Sequence, residues 1–367
     1  MNVVVGAGIS GATIARLLAD RGEKVLVIDQ KSHIGGNCYD YYDENGICVH
    51  MYGTHIFHTD SEDVWRFASR FTDWYPYMHK VLGMIDGQLV PIPFNLNSIH
   101  KVFPNCLANR LELKLLERFG FNRKVPILEL RQTNDSDLNF LADYIYKKVF
   151  LIYTMKQWGL KPDEIDPDVT ARVPVYISRD DRYFQNRWQG IPQEGYTAMI
   201  KNMLDHENIE VYLNTSWKDI EEQHLDDRIF YTGSVDLLMD RKLGDLPYRS
   251  IRLNFRTYKK EYFQPIAVVN YPENYDFTRI GEYKYFLDNK SPNTVVSYEY
   301  SSDYEYGKND PYYPIKNDKN LALYNEYARM AKARFKEIYL LGRLGEFKYY
   351  DMDKAIERAI RLMDSLQ

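Results

Sequence analysis

Cysteine is scarce in this chain of 367 residues: there are three, Cys38, Cys48 and Cys106. They form no CxxC pair and their number is odd. That argues against a disulfide framework and reads as free thiols in a reducing compartment. Histidine is also sparse, at 8. Two of them, His55 and His58 in "YGTHIFHT", stand three apart with no third ligand nearby, so the metal reading is poor. Long apolar runs are missing, and none approaches the ~20 residues of a membrane span. The first apolar stretch is short, glycine-rich and lacks a basic lead, so no signal peptide is expected and the cytoplasm is the expected compartment. Positive charge is not in excess: a net charge of −5 gives no general attraction to nucleic acid or to an anionic membrane. We find neither an internal repeat nor a low-complexity linker.

Tyrosine is abundant, at 32, and many cluster late, as in "YEYSSDYEYGKNDPYYP". Strand packing accounts for most of them. A phenol also joins an apolar face to a hydrogen-bonding tip, which suits a pocket for phosphates or sugar hydroxyls. The length allows two or three domains.

The opening stretch "VVVGAGISGATIARLL" carries the first chemistry. Val3 to Val5 reads as a buried strand, Gly6, Gly8 and Gly11 form GxGxxG, and Ala12 to Arg21 reads as a helix capped by Gly22. "KVLVID" is the second strand and ends in Asp29, 18 residues after Gly11. GxGxxG alone is weak evidence; between a strand and a helix, with an acid at the next strand end, it is a dinucleotide-binding βαβ unit. The glycines let backbone approach a pyrophosphate at the helix N-terminus, and Asp29 would accept from ribose hydroxyls. A second glycine pair, Gly35-Gly36, follows; it resembles the extended FAD motif of glutathione-reductase-like and amine-oxidase-like flavoproteins, a likeness that implies FAD rather than NAD.

Further on, "MIDGQLVPIPF" reads as a hairpin turning at Asp86-Gly87. Residues 97–159 read as helices, and 161–174, with three prolines, as a mobile loop. "YTAMIKNMLD" is a helix, and "IEVYLN" and "RIFYTG" are strands. "IRLNFRTYK", "PIAVVNYP", "TRIGEYKYF" and "TVVSYEY" read as antiparallel strands. A long helix, the strand "EIYLLGRL" and a closing helix follow. The dinucleotide domain is therefore expected to be discontinuous.

Over essentially its whole length the chain resembles the UDP-galactopyranose mutase family. The likeness lies in "HIGGN", "YGTHIFHT", "PIPFN", "YTMKQWG", "RYFQNRWQGIPQEGYT", "YTG", "PYYP", "GRL" and "KYYDM", in family order. It implies an α/β fold: a discontinuous FAD-binding Rossmann-like domain (1–75, 195–245 and 315–367), an inserted helical domain (97–160) and an antiparallel β-sheet substrate domain (76–96, 172–194 and 246–314). A mobile active-site loop is expected over 161–178. The resemblance further implies an isomerase that interconverts UDP-galactopyranose and UDP-galactofuranose for cell-surface polysaccharide, often as a homodimer. Its FAD acts in the reduced form: flavin N5 attacks the anomeric carbon, UDP leaves, and the ring recloses through another hydroxyl.

The roles implied by the resemblance suit the residue types. Arg172 and Arg279 would clamp the diphosphate, where charge develops as UDP departs. Tyr183, Tyr313 and Tyr349 would hydrogen-bond it. Tyr153 and Trp158, with Thr154 and Asn270 nearby, would line the uridine and sugar pocket. His55 and His58 would flank the flavin, His58 nearer the sugar and counted as catalytic with the two arginines. Gly6, Gly8, Ser10, Gly11, Asp29, Gly36, Asn37, Gly233, Arg343, Tyr349, Asp351 and Met352 would contact FAD. No metal is expected.

The departures are Asp29 where Glu is usual, Thr54 at a small-residue or proline position, and Ala171 and Tyr176 where basic residues are expected. The last two leave open another nucleotide sugar: UDP-N-acetylgalactosamine, UDP-arabinopyranose or dTDP-fucopyranose. Remoter alternatives are an amine-oxidase-like FAD oxidoreductase and a non-enzymatic FAD-binding scaffold.

Overall fold

The computed structural model describes residues 1–159, 161, 164 and 174–366. The described chain forms two compact units: residues 1–77, 186–250 and 304–367, and residues 78–185 and 251–303. The helical segment and the antiparallel strands, expected as separate domains, fall within the same second unit.

The first unit is built on a five-stranded parallel sheet. Its order is Ile209–Leu213, Val25–Asp29, Asn2–Val5, Arg228–Tyr231, Glu337–Leu340. Val3, Val4, Val27, Ile28, Ile229 and Phe230 are wholly buried. Strands covered on both faces read as continuous apolar runs, which is why the pattern was visible in the sequence. The chain leaves the central strand for one side of the sheet and later returns on the other. The loop after Val5 thus lies at the switch point where doubly wound sheets bind ligands. Helix Ile9–Asp20 follows that loop and packs against the last helix, Met352–Ser365.

A smaller sheet in this unit corrects the expected boundary at 194. Trp188–Pro192 pairs with Phe57–Thr59 and with Trp74–Pro76. Trp65 stacks on Trp74 at 4.5 Å and on Trp188 at 6.2 Å between ring centres, and these large apolar faces hold residues 186–194 here.

In the second unit the sheet runs 251–258 (the greater part of the strand Tyr248–Tyr258), Thr294–Asp303, Arg279–Glu282, Val268–Asn270, Val81–Ile85, Gln88–Ile92. The hairpin at Asp86-Gly87 is present, with both residues at positive φ (48° and 76°) as its tight turn requires. Two expectations need correction. Val268–Asn270 runs parallel to Val81–Ile85, so the sheet is not wholly antiparallel. "TRIGEYKYF" is not one strand: it ends at Glu282 and turns into a short 3₁₀ helix, Tyr283–Tyr285. Glu282 is fully buried and accepts the Phe263 and Gln264 N–H groups and the Thr294 hydroxyl, which anchors the strand end.

The helices of this unit include Asn105–Phe119, Ser136–Ile145 and Ile152–Trp158, the last two joined by a π-helical stretch, Tyr146–Leu151. Most of the loop expected over 161–178, with Ala171 and Arg172, lies outside the described residues. Within the described part of that span, Val175–Tyr176 pairs with Lys124–Val125. Tyr176 is buried and its hydroxyl donates to Asn122 Oδ1 at 2.5 Å, which gives that departure a packing role. Among the described residues no helix is long and apolar enough to cross a membrane.

Candidate active site

In the first unit the glycines act in distinct ways. Gly6 has φ +108°, and a Cβ there would lie 2.0 Å from Thr232 Oγ1. A Cβ on Gly11 would lie 1.9 Å from Gly6 O. Both serve the fold itself. Gly8 differs: its φ is −78°, and the nearest atom to an added Cβ is 3.6 Å away. It precedes helix Ile9–Asp20 with no side-chain cap. Bare backbone at a helix N-terminus, in a conformation any residue could adopt, fits a bound pyrophosphate.

The second glycine pair closes on this loop. Gly35 N donates to Ala7 O at 2.8 Å, and Gly36, at the start of the short turn that holds Asn37, would place a Cβ 3.0 Å from Gly8 Cα. Asp29 is buried, and its two carboxylate oxygens accept from Ala7 N (2.8 Å) and Lys31 N (2.9 Å). Its first task is therefore to hold the glycine loop; a carboxylate's remaining lone pairs can still take ribose hydroxyls. From the C-terminal part of the chain, Gly342 (φ +86°) would set a Cβ 3.3 Å from Ser10 Oγ, and Gly233 follows Thr232 at the end of the neighbouring strand. Gly6, Ser10, Thr232 and Gly342 thus meet at one end of the parallel sheet.

Arg343 follows. Its guanidinium stands 5.3 Å from the centre of the Tyr313 ring and 4.9 Å from that of Tyr349, and the two rings are 5.2 Å apart. A cation over two phenols is held against their faces. The sequence placed Tyr313 and Tyr349 on the diphosphate and Arg343 and Tyr349 on FAD, but it gave no sign that the three side chains pack on one another.

The histidines separate in character. His55 is enclosed, its Nδ1 is 2.7 Å from Gly53 O, and burial, helped by the charges of His50 and Arg343, pulls its pKa down to about 3. A carbonyl can only accept, so His55 is neutral with its proton on Nδ1. His58 Nδ1 lies 3.0 Å from Asn186 Oδ1, and its Nε2 lies 4.0 Å from Asp351 Oδ2. Asp351 immediately precedes helix Met352–Ser365. Asn186 was missed; it sits in "RYFQNRW" and gave no signal beyond motif membership.

Asp40, Cys48 and His50 also lie together. Asp40, however, accepts from Tyr196 N (2.6 Å) and Thr197 N (2.9 Å), which fastens the start of helix Tyr196–Leu204, and burial pushes the Cys48 thiol up. These are the contacts of a packed interior.

In the second unit Asn270, Arg279 and Glu299 stand opposite one another on three neighbouring strands, so their side chains share one face of the sheet. Arg279 Nη2 donates to the Tyr153 hydroxyl at 2.6 Å and its Nε is 3.2 Å from Glu299 Oε1. Glu299 is buried and also accepts from Thr278 Oγ1 at 3.1 Å. Burial raises the Tyr153 phenol well above its ordinary range, an effect Arg279 opposes, and Tyr183 is near enough to add to it. Three predicted residues, Tyr153, Asn270 and Arg279, are thus brought together. Thr154 and Trp158, on the same helix as Tyr153, are buried side chains. Tyr183 donates its N–H to His79 O at 2.7 Å and packs against Phe184. Glu299 was missed, since its place beside Arg279 is set by the register of the two strands.

Comparison with known proteins gives concordant findings. Residues 148–349 match the family model for UDP-galactopyranose mutase, and residues 4–71 match that for an NAD(P)-binding Rossmann-like domain. The chain is 38% identical, over 99% of its length and 93% of the relative's, to a probable UDP-galactopyranose mutase of Klebsiella pneumoniae. It is 37% identical, over 98% and 96% respectively, to a dTDP-fucopyranose mutase of Escherichia coli. The fold matches a crystal structure of reduced UDP-galactopyranose mutase with a TM-score of 0.69 and 16% identity, covering 100% of this chain and 95% of that one.

Proposed function

Since the chain belongs to the UDP-galactopyranose mutase family of isomerases, we propose that it interconverts UDP-galactopyranose and UDP-galactofuranose, with bound FAD in the reduced form. The observation that carries the substrate half of this reading is the grip of Tyr153 and Glu299 on Arg279, in register with Asn270. An arginine bonded at one Nη and ion-paired to a buried carboxylate is pre-oriented, and a departing diphosphate needs such a placed cation.

The cofactor half rests on Gly8. Backbone N–H groups after Gly8 would hold the FAD pyrophosphate, Asp29 the ribose, and the Gly36-Asn37 turn, Gly233, Arg343, Asp351 and Met352 the remainder. Reduced FAD, when bound, supplies a nucleophilic N5 for the anomeric carbon. This chain's residues orient and stabilise. Arg279 binds the diphosphate as negative charge grows on it, and the phenols of Tyr183, Tyr313 and Tyr349 are assigned hydrogen bonds to it. Neutral His55 offers an Nε2 lone pair. His58, held through Nδ1, presents Nε2 to the reacting groups. Arg172, assigned as the second phosphate clamp, lies outside the described residues. A cytoplasmic homodimer supplying furanose units for cell-surface polysaccharide completes the reading.

A second reading keeps the chemistry and changes the sugar, as the similarity to a dTDP-fucopyranose mutase favours. One experiment separates the readings: an anaerobic assay of dithionite-reduced protein with UDP-galactopyranose, UDP-N-acetylgalactosamine, UDP-arabinopyranose and dTDP-fucopyranose, ring isomers being resolved by chromatography. Furanose formed fastest from UDP-galactopyranose supports the first reading. Preference for another sugar supports the second, and no furanose from any of them rejects both. Stoichiometric oxygen consumption with an amine would instead indicate an oxidase.

A further inference from the structure

Lys156, in "KQWG", has no part in the reading above. Its Nζ donates to four backbone carbonyl oxygens, those of Tyr271 (2.5 Å), Glu273 (2.9 Å), Tyr275 (3.3 Å) and Phe277 (3.2 Å). All four belong to the connection between Asn270 and Arg279, which are cross-strand partners at its two ends. Carbonyl dipoles converging on one point repel each other unless a cation stands there. An ammonium carries a full charge and three protons, one of which is shared between two of the four carbonyls; a neutral amide has only two to give. Lys156 lies on the helix that also carries Tyr153, so one helix holds both the turn and the Arg279 guanidinium.

We infer that Lys156 is a positioning residue: as an ammonium it gathers the Tyr271–Phe277 turn and so presents Asn270 and Arg279 to the diphosphate of the nucleotide sugar. This rests on the assignment of Arg279 made above. Among the described residues, Asp276, Glu273, Tyr271 and Tyr275 are the charged and titratable groups of the turn it holds. Asp276 favours its charged form, while the Glu273 carboxylate is engaged by Lys148 at 2.9 Å. The Tyr271 and Tyr275 phenols belong to the same turn, and burial raises that of Tyr271. Burial pulls Lys156 down to about 8, while the four carbonyl oxygens that accept from it favour its charged form.

The test is calorimetric binding of UDP to the full-length holoprotein and to its Lys156→Met, Lys156→Arg and Arg279→Ala variants, at pH 7, with flavin content and melting temperature recorded. The expected result is about tenfold weaker binding by Lys156→Met, partial recovery in Lys156→Arg, and unchanged flavin content. Wild-type affinity in Lys156→Met, with Arg279→Ala impaired, would overturn this inference and leave the assignment of Arg279 intact. Wild-type affinity in Arg279→Ala would overturn both. Should Lys156→Met fail to fold, Lys156→Gln takes its place: wild-type affinity in that variant overturns the inference.

Discussion

Asn186 sets the tautomer of His58. Its amide NH₂ donates to Asp60 Oδ2 at 2.6 Å, which leaves Oδ1 as the atom 3.0 Å from His58 Nδ1. An amide oxygen accepts, so the proton of neutral His58 sits on Nδ1, and Nε2, which faces Asp351, carries the lone pair. Asp60 is tied down in turn by the N–H of Arg187 at 2.8 Å.

Replacing Asn186 should therefore impair turnover without touching cofactor binding. For Asn186→Ala we expect kcat of the reduced enzyme to fall roughly 10- to 100-fold, as for a misplaced reacting group. Flavin content should stay at the wild-type level. Steady-state assays with UDP-galactopyranose, paired with the visible absorbance of the purified protein, check both halves. Wild-type kcat would remove Asn186 from the site.

Gly8 and Gly11 should part company when each becomes alanine. At Gly8 a methyl finds no atom closer than 3.6 Å, so Gly8→Ala should melt within a few degrees of wild type and yet purify with little FAD. At Gly11 the methyl would meet Gly6 O at 1.9 Å, so the backbone must move and the apoprotein itself is destabilised. Melting curves of both variants after flavin removal, with flavin-to-protein ratios before it, distinguish the two effects. Equal melting losses would mean that Gly8 also serves the fold.

These contrasts show which parts of the molecule the sequence exposes. The glycine loop is local: its strand, turn and helix lie within a score of residues, and their geometry follows from residue type. The hairpin at Asp86-Gly87 is legible for the same reason. Glu299 beside Arg279 is not, because that contact depends on the register of two strands joined through the turn at Tyr283–Tyr285. Trp188–Pro192 was placed in the wrong unit because its attachment is made by tryptophans more than a hundred residues earlier. Lys156 looked like any helical lysine, since its partners are backbone carbonyls that carry no sequence signature.

Removing Arg279 should have two separable consequences. Arg279→Met leaves the buried Glu299 carboxylate without its cation, and we expect a loss of about 2–3 kcal/mol. That is less than for a fully enclosed pair, because the Arg279 side chain is 25% exposed. Arg279→Met with Glu299→Gln should regain most of that stability, because an amide costs far less to bury than an unpaired carboxylate. It should not regain UDP binding. Urea unfolding and calorimetry on the single and double variants test this, and recovery of both together would make Arg279 a structural residue only.

Acid should weaken the first unit through His50 and His55. Burial pulls both from 6.5 to about 3. Above pH 6.5 both are neutral whether folded or unfolded, and their environment costs nothing. Below it the unfolded chain takes up protons that the folded chain refuses, so stability falls with pH and the loss continues until about pH 3. Each histidine contributes at most about 1.4 kcal/mol per pH unit across that window. His50 accepts the His55 N–H through its Nδ1, which glutamine can replace as an acceptor without carrying a titratable proton. His50→Gln should accordingly flatten the fall in melting temperature between pH 7 and pH 5, with little change at pH 7.5. An unaltered acid limb would assign the proton uptake to other groups.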